Sequence, residues 1–265
     1  MRYCRFTYKG VARYGVVEGS RGSEQITHLL GIPPEQVGKL SSVPREEIDP
    51  LSLEQTALLA PVQPSKIVCV GRNYRAHAAE MQHEVPTEPL IFFKPPSSLL
   101  NPGGEIRRPA ISERVDYEGE LGVVIAKRCY KLADGEDVRP YILGYTLVND
   151  MSARDLQKKD NQWARAKGFD TFCPVGPTVT DEIDPWRGVR IETRLNGHVK
   201  QQGNTKDFVF PLDAIIHYIS KVMTLMPGDL IATGTPEGVS PVVAGDVIEV
   251  SAEGVGTLKN PVVND

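Results

Sequence analysis

A chain of 265 residues, 40% hydrophobic and 24% charged, has the ordinary balance of a folded protein, with room for one large domain or a domain and a small appendage. Its formal net charge of −4 excludes the overall basic footprint of a nucleic-acid binder. No apolar run reaches the length of a membrane span, and the N-terminal MRYCRFTYKG lacks the apolar stretch of a signal peptide. The expectation is therefore a cytoplasmic protein without nucleic-acid or membrane partners. Cys4, Cys69, Cys129 and Cys173 are scattered and form no C-x-x-C pair. They read as reduced thiols, at least three in apolar surroundings, rather than as a zinc site or a disulfide framework.

The 24 glycines and 21 prolines point to many turns and a strand-rich chain. Residues 1–60 read as a small N-terminal module. In it Tyr3, Arg5 and Thr7, then Val11 to Val17, form short strands around a Lys9-Gly10 turn. A polar stretch follows, with Pro33-Pro34 and the charged Pro44-Arg45-Glu46-Glu47. Leu58 to Pro64 reads as an extended linker, because proline holds the residue before it out of helix. The main domain then covers 61–265. Strands are expected at Lys66 to Val70, Leu90 to Phe93, Glu120 to Ala126 (buried on both faces) and, after a helical turn near Asp137 to Tyr141, Tyr145 to Asn149. Ile191 to Leu195 and Val199 to Gln201 flank Asn196-Gly197, a strong hairpin signal. Leu212, Ile215, Ile216, Ile219 and Met223 recur at helical spacing, so 211–223 is an amphipathic helix. Val247 to Val250 closes the domain as strand. Few helices among many strands make the class α+β, mainly β.

Three acidic residues carry the first chemical signal. Glu118 and Glu120 are two apart at the entry to a strand, so they project to one face, and Gly119 leaves room on the other. Asp150 ends another expected strand. Convergent carboxylates without Cys or His suit a hard cation: Mg²⁺ first, then Mn²⁺ or Ca²⁺. An E-x-E on a solvated edge is the plain alternative, and the apolar 121–126 run weakens it. On a short helix His77 and Glu80 are i and i+3 and can touch, which would fix the imidazole tautomer and raise its basicity; a chance surface pair has the same spacing. Arg154, four residues after Asp150, could clamp a substrate carboxylate. Lys94 and Lys167 could add positive charge, or be solvated surface lysines.

Six segments, VGRNYRAHAAE (70–80), IFFKPPSSL (91–99), VDYEGELGVVI (115–125), GYTLVNDMSARDLQ (144–157), WARAKGFDTFCPVGP (163–177) and GDLIATGTPEGV (228–239), resemble the fumarylacetoacetate hydrolase superfamily. They stand in the family order across nearly all of 65–265. The resemblance implies a fold of rolled, packed β-sheets, usually a homodimer. It implies a metal held by Glu118, Glu120 and Asp150, and a catalytic pair, His77 and Glu80, on a short mobile element. The H-x-x-E form is that of the smaller acylpyruvase-like members; in the founding hydrolase the glutamate lies elsewhere in the chain. The family's active-site lysine falls on Lys167, and its substrate-binding arginine, glutamine and threonine on Arg154, Gln157 and Thr235. Arg72, Tyr74 and Lys94 are further substrate-binding candidates. Arg75, Met81, Gln82, Asp170 and Thr171 are candidates for the pocket wall. The first 60 residues resemble the N-terminal module of bacterial isomerases or hydrolases of hydroxylated diene-dioates, with a role in packing or dimer support.

The activity implied is Mg²⁺-dependent chemistry on a small anionic 2-oxo or 2-enol acid. Tautomerase or isomerase action on oxaloacetate or 2-hydroxyhepta-2,4-diene-1,7-dioate comes first. C–C hydrolysis of acylpyruvates or fumarylacetoacetate-like substrates, or oxaloacetate decarboxylation, is the alternative. A metal-binding scaffold without activity would lack His77, Glu80 or a ligand, and none is missing. Gly71 to Pro86 is expected to be a lid, poorly ordered without ligand. A Rossmann oxidoreductase is disfavoured because no G-x-G-x-x-G follows a strand.

Overall fold

The computed structural model describes residues 1–20 and 22–265. β1 (Arg2–Tyr8) and β2 (Val11–Glu18) meet at Lys9-Gly10, where φ is 50° and 79°. Two positive φ values give the twist a two-residue hairpin needs. β3 (Gln25–Leu30), β4 (Arg45–Ser52) and β5 (Leu58–Leu59) follow. β6 (Ile67–Gly71) leads into α1 (Arg75–Glu80). Next come β7 (Leu90–Lys94), β8 (Leu99–Leu100), β9 (Ile106–Arg108), β10 (Val115–Asp116), β11 (Gly119–Ile125), β12 (Ile142–Asn149) and β13 (Ser152–Ala153). α2 (Arg154–Lys159) and α3 (Ala164–Lys167) precede β14 (Cys173–Thr180). β15 (Arg190–Leu195), β16 (His198–Asn204), α4 (Leu212–Val222), β17 (Leu230–Ala232), β18 (Val247–Ala252) and β19 (Gly256–Asn264) complete the chain.

Twelve strands form one mixed sheet ordered β4-β3-β2-β1-β14-β12-β11-β17-β6-β7, with β5 on β1 and β8 on β14. A five-stranded sheet, β16-β15-β18-β19-β9, shares one apolar core with it. In that core Leu121, Val123 and Leu147 of the large sheet meet Ile191, Val250 and Leu258 of the small one. The strand-dominated α+β class expected from sequence is the one observed. α4 adds Leu212, Ile215, Ile216 and Ile219 to the same core, and each such side chain contributes about 1.5–3 kcal/mol by burial.

Several elements depart from the sequence reading. The first strands do not end at a linker: β1 pairs directly with β14 (Tyr3↔Val179), and β5, within the expected linker, pairs with β1. β4 lies in the stretch read as polar and charged. It is an edge strand, so Arg45, Glu46 and Glu47 stay in water while their backbone pairs on one side. β14 is buried along its whole length, although Pro174, Gly176 and Pro177 punctuate it. Val247 does not begin the last strand, because β19 follows and pairs with both β18 and β9. Among the described residues no helix is long and apolar enough to cross a membrane.

Candidate active site

β11 and β12 run antiparallel with Gly119 opposite Asn149. Just beyond that register the Asp150 N–H donates to the Glu118 C=O at 2.8 Å, which brings the ends of the two strands together. Period-two alternation then turns Glu118 and Glu120 to the same side as Asp150. One carboxylate oxygen from each lies within 4.8 Å of the others, and the three residues are only 4%, 2% and 1% exposed. The room expected behind Gly119 is taken. A Cβ there would sit 2.0 Å from Thr193 Oγ1 on β15, so glycine lets the small sheet close on the acidic strand.

Three buried carboxylates this close cannot all stay ionised without compensation, since two like charges 4 Å apart repel by about 4 kcal/mol even at an effective dielectric of 20. Cations supply part of it. Lys167, from α3, donates to Glu118 and Asp150, both at 2.6 Å. Lys94, the inward-turned last residue of β7, donates to Asp150 at 2.7 Å and to the Met151 C=O at 3.1 Å. Arg154 donates to Glu118, to Asp116 at 3.0 Å and to Gln157 Oε1 at 2.9 Å. Burial pushes the Glu118 carboxyl up, but Arg154 and then Lys167 outweigh it and hold the group well below the usual carboxylate range. Burial would also lower the Lys167 ammonium; Asp150 and Glu118 hold it above its ordinary value.

Glu120 is the exception. Among the described residues its carboxylate accepts only the Gly234 N–H, at 2.7 Å. Burial, then Asp150 and Glu118, push its carboxyl far above the ordinary range. A buried carboxyl without a cation, inside an all-oxygen donor set, fits a hard divalent ion that Glu118, Glu120 and Asp150 would hold. The donor chemistry therefore fits a divalent metal, as the sequence led us to expect.

The opposite wall is α1 with its flanks. His77 Nδ1 stands 3.4 Å from Glu80 Oε2, and Glu80 accepts the Gly238 N–H at 3.0 and 3.2 Å. Gly238 is fixed from its other end by Tyr117, whose hydroxyl donates to the Gly238 C=O at 2.9 Å. Its φ of 98°, and the Lys200 C=O 2.0 Å from where a Cβ would stand, require glycine. Glu80 thus orients His77 and docks α1 on the loop that carries Thr235.

One cavity of 860 Å³ collects His77, Glu80, Glu118, Glu120, Asp150 and Lys167, together with Arg72, Arg154, Gln157 and Thr235. Met81 and Gln82 line it as expected, whereas Arg75, Asp170 and Thr171 do not; the Thr171 hydroxyl is occupied by the Arg107 N–H at 2.9 Å. Two substrate-binding candidates also fall outside it. Tyr74 is buried, with its ring edge-on to Phe208 at 5.2 Å. Lys94 is fully buried against Asp150, which makes it a support for a ligand rather than a contact for substrate. Arg154 reaches the cavity, but its guanidinium is shared among Asp116, Gln157 and Glu118. The Thr235 hydroxyl donates to the Gly119 C=O at 2.9 Å, so it faces a substrate only as an acceptor. A larger groove of 990 Å³, elsewhere on the chain, is lined by Glu24, Glu54 and Glu249, of which Glu24 and Glu249 pair with Arg2 and Lys259 at 3.8 and 3.1 Å; among the described residues it offers no convergent acidic trio.

Two positioning residues escaped the sequence reading. Asp116 is fully buried and holds both Arg114 (2.9 Å) and Arg154 (3.0 Å). Gln201, on β16, accepts the Gly119 N–H at 3.0 Å and donates to Thr235 Oγ1 and the Pro236 C=O, both at 2.8 Å. The alternating acids of V-D-Y-E-G-E could have flagged Asp116. Nothing local marks Gln201, which lies 82 residues from Gly119.

Residues 66–263 match the family model for the fumarylacetoacetate (FAA) hydrolase C-terminal domain, and residues 1–61 match a model described as Rv2993c-like, N-terminal. The oxaloacetate tautomerase fahd2 of Xenopus laevis, mitochondrial, is 44% identical, over 80% of this chain and 70% of that one. Among solved structures, 5-carboxymethyl-2-hydroxymuconate delta-isomerase from Mycobacterium smegmatis is 38% identical, covers 100% of both chains and has a TM-score of 0.88. The 2-hydroxyhepta-2,4-diene-1,7-dioate isomerase from Mycobacterium marinum is 40% identical, covers 100% of this chain and 99% of its own, and has a TM-score of 0.87. With its fold, its buried acidic trio and these relatives, the chain belongs to the fumarylacetoacetate hydrolase family and is an enzyme of its isomerase or hydrolase type.

Proposed function

We propose that the chain is a Mg²⁺-dependent keto–enol tautomerase or isomerase of small 2-oxo and 2-enol dicarboxylates. The observation that carries this reading is that the carboxylate trio, Lys167 and the His77–Glu80 pair line one cavity. Glu118, Glu120 and Asp150 would hold the cation, which would supply Lewis-acid stabilisation of negative charge at an enol oxygen. Lys167 adds a fixed positive charge beside that oxygen, already pre-oriented by Glu118 and Asp150. A carboxylate at Nδ1 favours the tautomer with its proton there, leaving Nε2 free to act as base. His77 then takes a proton from the carbon next to the carbonyl and returns it to oxygen, or the reverse, with Glu80 balancing the imidazolium. The tautomerase and isomerase relatives support proton transfer over C–C cleavage.

The test follows enol-oxaloacetate in the ultraviolet with Mg²⁺ and assays pyruvate in parallel. Enol loss without pyruvate, absent in His77→Ala and Glu118→Ala, is expected. Metal-dependent pyruvate release would overturn the reading in favour of a decarboxylase, or of a hydrolase if acetylpyruvate also yields it.

A further inference from the structure

Charge is distributed unevenly along the cavity. At its floor Lys167 and Arg154 are committed to Glu118, Asp150 and Asp116, as Lys94 beneath them is to Asp150. At its mouth Arg72, Lys158 and His83 line the same space. Among the described residues, none of these three side chains has an ion-pair or hydrogen-bond partner. Burial, then the positive charge of Arg72 and His77, lower the His83 imidazolium.

Arg72 is also held in an uncommon conformation. Its φ is 56°, in the left-handed region that a long side chain seldom occupies. The next residue fixes it there. Asn73 is fully buried; its side chain donates to the Thr233 C=O at 2.8 Å and the Phe210 C=O at 3.2 Å, and accepts the Phe210 N–H at 2.8 Å. Such strain persists only where the surroundings over-determine it, and it concentrates at binding sites. Here the turn delivers an unpaired guanidinium to the cavity mouth at the base of the lid.

We propose that Arg72, with Lys158 of the same cavity, receives the distal carboxylate of a dicarboxylate substrate, and that this contact rather than Arg154 separates dicarboxylates from monocarboxylates. The inference rests on the reading of the floor as a metal site for 2-oxo acids. The two cations belong to separate elements, the β6–α1 turn and α2, so a carboxylate between them also ties the lid to the body of the enzyme. A planar guanidinium suits bidentate capture, and Lys158 adds a point charge.

Binding to the Mg²⁺-loaded protein tests this by calorimetry with two probes. Oxalate is too short to reach the mouth, whereas 2-oxoglutarate carries a distal carboxylate. Arg72→Gly keeps the left-handed backbone without strain, so loss of fold does not confuse the result. The expected outcome is a 2-oxoglutarate Kd raised roughly 10- to 100-fold in Arg72→Gly, a smaller rise in Lys158→Gln, partial recovery in Arg72→Lys, and an unchanged oxalate Kd in all three. Equal weakening of both probes, or of neither, would overturn the inference and leave the floor reading intact. Failure of the wild type to bind oxalate would overturn the floor reading and the inference with it.

Discussion

The floor and the lid of the cavity are built on opposite principles. The floor is a network of charge: apart from Glu120, its buried acids and the cations of β7, α2 and α3 hold one another at 2.6–3.0 Å. The opposite wall is anchored only at its start, where Asn73 makes three side-chain hydrogen bonds. At the far end of α1 one carboxylate, Glu80, receives one backbone N–H from Gly238 and touches one imidazole. The difference teaches where chemistry and gating separate. A site that must hold a cation needs donors placed before binding, whereas a wall that must admit substrate needs few contacts to break.

Three changes sharpen or break this comparison. His77→Ala is expected to cost the most, about 10²- to 10⁴-fold in kcat, while divalent-metal affinity stays at the wild-type value; a matching loss of metal binding would show that lid and floor are not separable. Asp116→Asn acts on the floor alone. With Asp116 neutral, Arg154 is drawn fully onto Glu118 and competes with the cation, so metal affinity measured by titration should fall about 10- to 100-fold. Glu80→Gln keeps an acceptor for the Gly238 N–H but not the charge beside His77. About a tenfold loss of kcat is expected, with amide exchange across 75–83 little changed; faster exchange there would mean that the charge, not the hydrogen bond, docks the lid.

The smallest effect is on stability and lies outside both regions. Burial raises the Glu35 carboxyl above its ordinary value of 4.5, and among the described residues its Oε2 is buried without a partner, as are the hydroxyls of Tyr3 and Tyr14. The folded state therefore binds the Glu35 proton more tightly than the unfolded chain. The stability this contributes is full below the unfolded value and is lost as pH rises through the folded one. Glu35→Gln should remove that decline, read as a flatter Tm against pH above about 4.5; an unchanged profile would place the dependence elsewhere.

Local patterns made much of this legible. Period two predicts the shared face of Glu118 and Glu120, i,i+3 spacing predicts the His77–Glu80 contact, and the Asn196-Gly197 turn and the α4 stripe fold as read. What stayed hidden depends on distance in the chain. Lys94 meets Asp150 across 56 residues, and Arg154 meets Asp116 across 38. No spacing rule shows that Arg154 is already engaged, and so none distinguishes it from the unpaired Arg72. Likewise β14 hides behind its prolines, because its strand character comes from neighbours on both sides rather than from alternation.

The central claim is that His77 moves a proton between carbon and oxygen over a metal held by the acidic trio. Proton NMR of oxaloacetate in D₂O, with enzyme and Mg²⁺, tests it most directly. The account predicts that the C3 proton signal washes out faster than without enzyme, with no pyruvate formed, and that His77→Ala returns the rate to background. Pyruvate appearing in step with the lost signal, or washout unchanged in His77→Ala, would contradict it.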